Sequence, residues 1–192
     1  MNFDMISTWN LIRVSGFLAY FLFTLSVSAG LLVRLPVIQK KKALLLAIHQ
    51  TSGWSGFLTT LFHMVLLVVD TYAPYRIFEL LIPFSSENEP FFSALGTVGF
   101  YLFFIIFSTS DFFMKKLGRS LWKKIHFLVF PAWVMIVLHG MLIGTDSSEP
   151  WAAFLYGGGV VIVLFLLAVR RIDVQPKRTG MKQKQNVTSQ KI

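Results

Sequence analysis

The longest charge-free stretch of the sequence runs from residue 43 to residue 69 and reads ALLLAIHQTSGWSGFLTTLFHMVLLVV. A helix needs about 20 mostly apolar residues to cross the hydrocarbon core of a bilayer, and this stretch is long enough. Similar runs occupy residues 14–33, 91–110, 125–145 and 151–169. Strands of a membrane β-barrel would be about 10 residues long and would alternate in polarity, and these runs do not alternate. The sequence therefore predicts an all-α membrane protein, a bundle of five transmembrane helices.

Charged residues divide the loops into two alternating groups. Nearly all of the 18 Lys and Arg residues follow the first, third and fifth apolar runs, whereas the N-terminus and the remaining loops are acidic. The positive-inside rule places the basic segments in the cytoplasm, which predicts an outside N-terminus, a cytoplasmic C-terminus and multi-pass insertion in the cell membrane. The net charge of +9 is then explained by topology and membrane lipid, and no nucleic-acid partner is expected.

Outside the apolar runs the sequence predicts few ordered elements. Residues 1–170 are expected to form the membrane domain, and the basic residues 171–192 a disordered cytoplasmic tail. The outer connection, residues 70–90, is either a short helix on the membrane surface or a partly ordered loop. The short turn at 146–150 predicts that the fourth and fifth helices pack as neighbours. The sequence has no cysteine, which excludes disulfides, thiolate metal sites and iron–sulfur clusters.

All four histidines lie in the second and fourth runs, where an ionisable residue indicates function because hydrocarbon solvates it poorly. His49 and His126 belong to the inner half of their helices and His63 and His139 to the outer half, at two levels about 20 Å apart. A spacing of fourteen residues keeps His49 and His63 on one helix face. A spacing of thirteen puts His126 and His139 on nearly opposite faces, so we expect a kink at Pro131 or an irregular turn at His126.

Two imidazoles at matched depth on parallel helices suit haem, whose iron takes one axial nitrogen from each side. Zinc would need three or four protein ligands at one level. We therefore predict two b-type haems, an inner one ligated by His49 and His126 and an outer one by His63 and His139. Arg13 either contacts a propionate of the outer haem or extends its charge to the membrane interface. The alternative is four buried histidines that are hydrogen-bonded to their neighbours.

Three stretches resemble the ferric reductase-like transmembrane domain, a family shared by ferric reductases and NADPH oxidases. They are IRVSGFLAYFLFTLSVSAGLL (12–32), IHQTSGWSGFLTTLFHMVLLVVD (48–70) and LWKKIHFLVFPAWVMIVLHGMLIGTDSSEPWAAFLY (121–156). The resemblance implies that the four histidines are axial haem ligands and that electrons pass from a cytoplasmic or membrane donor to an acceptor on the outer side. No segment is long or polar enough for a flavin or nicotinamide domain, so a separate electron donor is expected. This donor is either a flavoprotein, which would bring its own flavin, or a quinol.

Two other functions remain open at the level of sequence. One is that of a dedicated haem membrane subunit of a separate reductase, such as a periplasmic methionine sulfoxide reductase. The other is that of a non-redox membrane protein that uses the histidines for proton or metal transport. Whether it is an enzyme in its own right, rather than an oxidoreductase component, is likewise open. Haem content distinguishes the redox functions from transport.

Overall fold

The computed structural model describes residues 7–189, with only the backbone described at Val37 and from residue 173 onward. Within that range the chain forms seven α-helices and one 3-10 segment, Pro36–Lys41. The helices are α1 (Thr8–Leu32), α2 (Lys42–Val69), α3 (Ile77–Leu81), α4 (Pro90–Asp111), α5 (Met114–His126), α6 (Val129–Ile143) and α7 (Pro150–Ser189). Four helices are long and apolar enough to cross a membrane, and α5 with α6 gives a fifth if the bent pair is one span. The prediction of an all-α membrane bundle is confirmed.

Polar residues set the ends of the first two helices. Ser7 is the N-cap of α1, and its hydroxyl accepts a hydrogen bond from the backbone N–H of Asn10 at 3.2 Å. The 3-10 segment leads directly into α2 at Lys42. α2 ends before Asp70, whose carboxylate accepts the backbone N–H of Ala73 at 3.0 Å. The charges that bound the longest apolar run thus also bound its helix.

The fourth predicted span, residues 125–145, is bent, in line with the kink at Pro131 or the irregular turn at His126 that the histidine spacing led us to expect. His126 is the last residue of α5, and α6 begins at Val129 after a bend of 41°. Pro131 explains the position of the break, because a proline ring clashes with the carbonyl four residues earlier, and that carbonyl belongs to Phe127. The thirteen-residue spacing led us to expect either a kink at Pro131 or an irregular turn at His126, and the single break between α5 and α6 accounts for both.

The bundle is assembled around α1, which packs against α2, α6 and α7, while α4 packs against α6 and α5. At its centre the rings of Phe23 and Phe103 are stacked with centroids 3.9 Å apart. Buried Trp133 donates its indole N–H to Thr24 Oγ1 at 2.9 Å. α7 has its main backbone contacts with α1 rather than α6, so the predicted pairing of the last two spans is replaced by a pairing through α1. The Tyr20 hydroxyl, which donates to the carbonyl of Tyr156 at 3.0 Å, joins α1 to α7.

Large apolar side chains also cover the outside of the bundle. On α7 they include Phe154, Val161, Leu164 and Phe165, each more than half exposed. An apolar surface of this extent is typical of a membrane-facing protein. The chain is a multi-pass membrane protein, while the direction of insertion stays a prediction. The backbone of α7 continues into the predicted tail as far as Ser189. The disorder predicted for residues 171–192 stays a prediction.

The outer connection contains α3, so part of it is helical as one of the two expectations proposed. Glu79 is its anchor: the carboxylate accepts the backbone N–H groups of Arg76 at 2.7 Å and Glu87 at 3.0 Å. The bond from Arg76, followed by that from Glu87, lowers the pKa of Glu79, because both favour the charged carboxylate. Thr97 and Tyr101 of α4 donate to the carbonyls at the end of α3 and tie it to the bundle. Membrane contact of this helix stays a prediction.

Candidate haem sites

The inner pair, His49 and His126, meets between α2 and the end of α5. The two imidazole centroids are 6.0 Å apart and the rings are inclined at 73°. Two metal–nitrogen bonds of about 2 Å each, with about 1 Å from each nitrogen to its ring centre, give a centroid separation of about 6 Å. Both rings line a cavity of about 580 Å³. The spacing and the space both fit a planar metal cofactor held between two imidazoles.

The outer pair, His63 and His139, lines a second cavity of about 340 Å³. Its walls come from α1, α2, α4 and α6, and the outer connection forms part of its rim. No histidine lines both cavities, so the four histidines fall into the same two pairs that the sequence predicted. His126 being on α5 does not disturb this division, because the bend before α6 brings it back to the level of His49.

Three of the four imidazoles are held by backbone carbonyls of a neighbouring helix. The Nδ1 atom of His49 lies 2.8 Å from the carbonyl oxygen of Ser26, and that of His63 lies 3.0 Å from the carbonyl oxygen of Ile12, both on α1. The Nδ1 atom of His139 lies 2.8 Å from the carbonyl oxygen of Phe92 on α4. A carbonyl only accepts hydrogen bonds, so Nδ1 carries the proton and Nε2 is left with the lone pair that binds a metal.

A glycine follows each of these carbonyls by four residues. A Cβ at Gly30 would lie 3.1 Å from the ring of His49, one at Gly16 3.4 Å from that of His63, and one at Gly96 2.8 Å from that of His139. The glycines therefore leave the room that each ring needs to reach its carbonyl. On α1 the carbonyl and the glycine both recur after fourteen residues, the same spacing as the two histidines of the antiparallel α2.

The fourth imidazole is held differently. His126 Nδ1 lies 3.5 Å from the hydroxyl of Ser110, near the end of α4. The indole of Trp122 stacks on the His126 ring at 5.2 Å and donates its N–H to the same hydroxyl at 3.1 Å. A distance of 3.5 Å is at the limit of a hydrogen bond, so this contact is the weakest of the four.

Arg13 is paired within the chain. Its guanidinium donates to both carboxylate oxygens of Asp146, at 2.5 and 2.6 Å, and both residues line the outer cavity. This pairing joins α1 to the turn between α6 and α7, a contact that no spacing in the sequence announces. The predicted bond from Arg13 to a propionate stays a prediction.

The inner cavity has a basic rim, and two of its residues, Arg34 and Arg170, were not singled out from the sequence. Arg34 and Arg170 line it, from the segments after α1 and within α7, and Lys123 joins them from α5. The carboxylate on this rim, Asp111, accepts the indole N–H of Trp54 at 2.8 Å. The signal available in the sequence was only the position of both arginines directly after apolar runs, which equally indicates topology.

Among the described residues, no three His, Asp or Glu side chains come together in a group that could hold a metal ion by themselves. Each level offers two imidazoles, too few for tetrahedral zinc and the number that complete a haem iron. The residues present therefore fit haem at both levels.

The family described as the ferric reductase like transmembrane component matches residues 15–137. The chain belongs to this family. The match includes His49, His63 and His126, whereas His139 lies two residues beyond its end and Arg13 two before its start. In this ferric reductase-like protein His139 lines the outer cavity together with His63, and its role as a ligand stays a prediction. No solved structure matches the chain.

Proposed function

We propose that this ferric reductase-like protein carries electrons across the membrane through two b-type haems. His49 and His126 hold the inner haem, and His63 and His139 hold the outer one. The observation that carries the proposal is the division of the four histidines into two cavities. Backbone carbonyls bind Nδ1 of His49, His63 and His139 and leave their Nε2 atoms for a metal. When bound, the haems supply one-electron transfer between ferric and ferrous iron.

The protein's own residues then have three tasks. The carbonyls of α1 and α4 fix the imidazole tautomer, which keeps Nε2 in the form that ligates iron. The aromatic core between the two cavities, with Phe23 stacked on Phe103, keeps water out of the space between the two levels. With two imidazoles at each level to hold it, a haem would supply electron transfer rather than oxygen activation.

The charge of the loops supports the proposed direction of transfer, from the cytoplasmic side to the outer side. The basic inner rim of Arg34, Lys123 and Arg170 suits a cytoplasmic or membrane donor with acidic groups at its docking surface. The outer cavity, whose rim carries Asp70, Glu79 and Asp146, faces the acceptor side. We propose the cell membrane as the location, a flavoprotein or a quinol as the donor, and an oxidised acceptor on the outer side.

Vesicles test the proposal. Purified protein is reconstituted into liposomes that contain ferricyanide, and dithionite is added outside. We expect internal ferricyanide to be reduced at a rate that depends on the protein. His63→Ala should abolish this reduction while the inner haem is still reduced, and Gly157→Ala, where a Cβ meets no atom within 4 Å, should leave it unchanged. Transfer that persists in His63→Ala, or a protein that binds no haem and conducts protons or metal ions, would contradict the proposal.

A further inference from the structure

The fourth histidine site departs from the pattern of the other three in a way that has a structural cause. Phe92 and Gly96 of α4 supply the carbonyl and the glycine for His139. Fourteen residues further along α4 stand Ile106 and Ser110, at the level of His126. Ser110 therefore occupies the place that a glycine holds at the other three sites.

A side chain at this place keeps the imidazole away from the helix backbone. At the three glycines an added Cβ would come within 2.8–3.4 Å of the ring, so ring and Cβ compete for the same space. Ser110 carries that Cβ, and His126 reaches only its hydroxyl, at 3.5 Å, instead of a carbonyl at 2.8–3.0 Å.

The Ser110 hydroxyl also has a second partner besides His126. A serine oxygen has two lone pairs, and one of them accepts the indole N–H of Trp122 at 3.1 Å. His126 in addition lies at the end of α5, a helix with no buried residue, and directly before the break that leads to α6. Its ring is thus held by Ser110 and by the stacking of Trp122, not by a rigid helix.

We propose that His126 is the exchangeable ligand of the inner haem, and that Ser110 and Trp122 are its positioning residues. The inference rests on the proposed function. A weaker Nδ1 bond makes the imidazole less basic and less firmly oriented, and both effects weaken its bond to iron. A small neutral ligand such as carbon monoxide then replaces His126 on the reduced inner iron, one neutral donor for another, while the outer iron keeps both histidines.

Two substitutions at one position move the site in opposite directions. Ser110→Ala keeps the Cβ and removes the hydroxyl, so His126 loses its Nδ1 partner. Ser110→Gly removes the Cβ, so the ring can approach α4 and bond to the carbonyl of Ile106, as the other three sites do. Gly157→Ala is the control, because a Cβ added there meets no atom within 4 Å and the residue contacts neither histidine pair.

The experiment uses haem-loaded full-length protein in detergent, reduced with dithionite and titrated with carbon monoxide. The potential of the inner haem is measured in parallel, and the His63→Ala background, which keeps only the inner haem, assigns the signals. Wild type should bind carbon monoxide at the inner haem alone. Ser110→Ala should bind it about tenfold more tightly and raise the potential, whereas Ser110→Gly should weaken binding by a similar factor and lower the potential. Gly157→Ala should resemble wild type.

Several results would overturn the inference. They are binding at the outer haem, no binding in wild type and Ser110→Ala, or shifts of the same sign in Ser110→Ala and Ser110→Gly. If two haems are present but neither accepts carbon monoxide, this inference fails and the proposed function stands. A protein without haem would overturn both.

Discussion

Gly96→Ala is the substitution that most directly tests how the outer histidine is held. The added Cβ would lie 2.8 Å from Cε1 and 2.9 Å from Nδ1 of His139, about 0.6 Å inside ordinary contact, which begins at 3.4 Å. The ring has little freedom to move, because its Nδ1 atom is bonded to the carbonyl of Phe92 at 2.8 Å. Either that bond is lost or the ring leaves the position in which it faces His63.

The size of the effect follows from the cost of overpacking, about 1–3 kcal/mol. Borne by the outer site alone, this corresponds to haem binding weakened by about 5- to 150-fold. We therefore expect purified Gly96→Ala protein to retain the inner haem and to lose most of the outer one, measured as haem per chain and as the outer component of the low-spin electron paramagnetic resonance spectrum.

A graded series of glycines provides the controls. Gly16→Ala acts on the opposite side of the same outer site, but its Cβ would meet His63 at an ordinary 3.4 Å, so most of the outer haem should stay. Gly157→Ala places a methyl group in open space on α7 and should match wild type. Equal haem loss in Gly16→Ala and Gly96→Ala, or an unchanged spectrum in Gly96→Ala, would refute the reasoning.

Three further predictions concern stability and pH. Thr24→Val leaves the indole N–H of buried Trp133 without an acceptor, and the free energy of unfolding in detergent should fall by about 1–3 kcal/mol, which thermal melts measure; no loss would show that the bond is dispensable. A double-mutant cycle of Arg13→Ala and Asp146→Asn should give a coupling energy of about 1 kcal/mol, and additive effects would contradict a working ion pair. The pKa of folded Glu79 is lowered from 4.5, so its stabilisation of the outer connection is present above the unfolded-state pKa and lost as pH falls through the folded value. Protection factors of residues 76–87, which correct exchange for its intrinsic pH dependence, should therefore fall in acid, and a similar fall in Glu79→Gln would contradict this.

The sequence predicted those features that are encoded by uninterrupted runs of residues. Lys42 and Asp70 bound the longest apolar run, and α2 begins at Lys42 and ends at Val69, directly before Asp70, because charge in hydrocarbon is costly. The division of the histidines into two levels followed in the same way, since depth along a helix is fixed by the rise per residue. These features depend on one helix at a time.

Features that depend on a neighbouring helix left weaker signals. The Nδ1 partners of His49, His63 and His139 are backbone carbonyls, and a carbonyl has the same chemistry at every residue. Only the glycines beside them mark the place, and Gly16 and Gly30 do so by repeating the fourteen-residue spacing of the histidines.

Breaks and ion pairs were harder still. The break before α6 lies at Phe127, the residue whose carbonyl Pro131 excludes, one turn before the proline itself. The position of the proline alone would therefore place the break too far along the sequence. The ion pair between Arg13 and Asp146 joins residues that are far apart in the sequence, and it depends on where the turn after α6 ends. A helix pattern does not contain that information.

The central claim is that two pairs of histidines hold two haems. It is tested most directly by counting haem per chain in purified wild type and in the four single histidine-to-alanine variants. We predict two haems in wild type and about one in every variant, with His49→Ala and His126→Ala sharing one residual spectrum and His63→Ala and His139→Ala sharing another. Wild type without haem, or residual spectra that pair His49 with His63, would contradict the account.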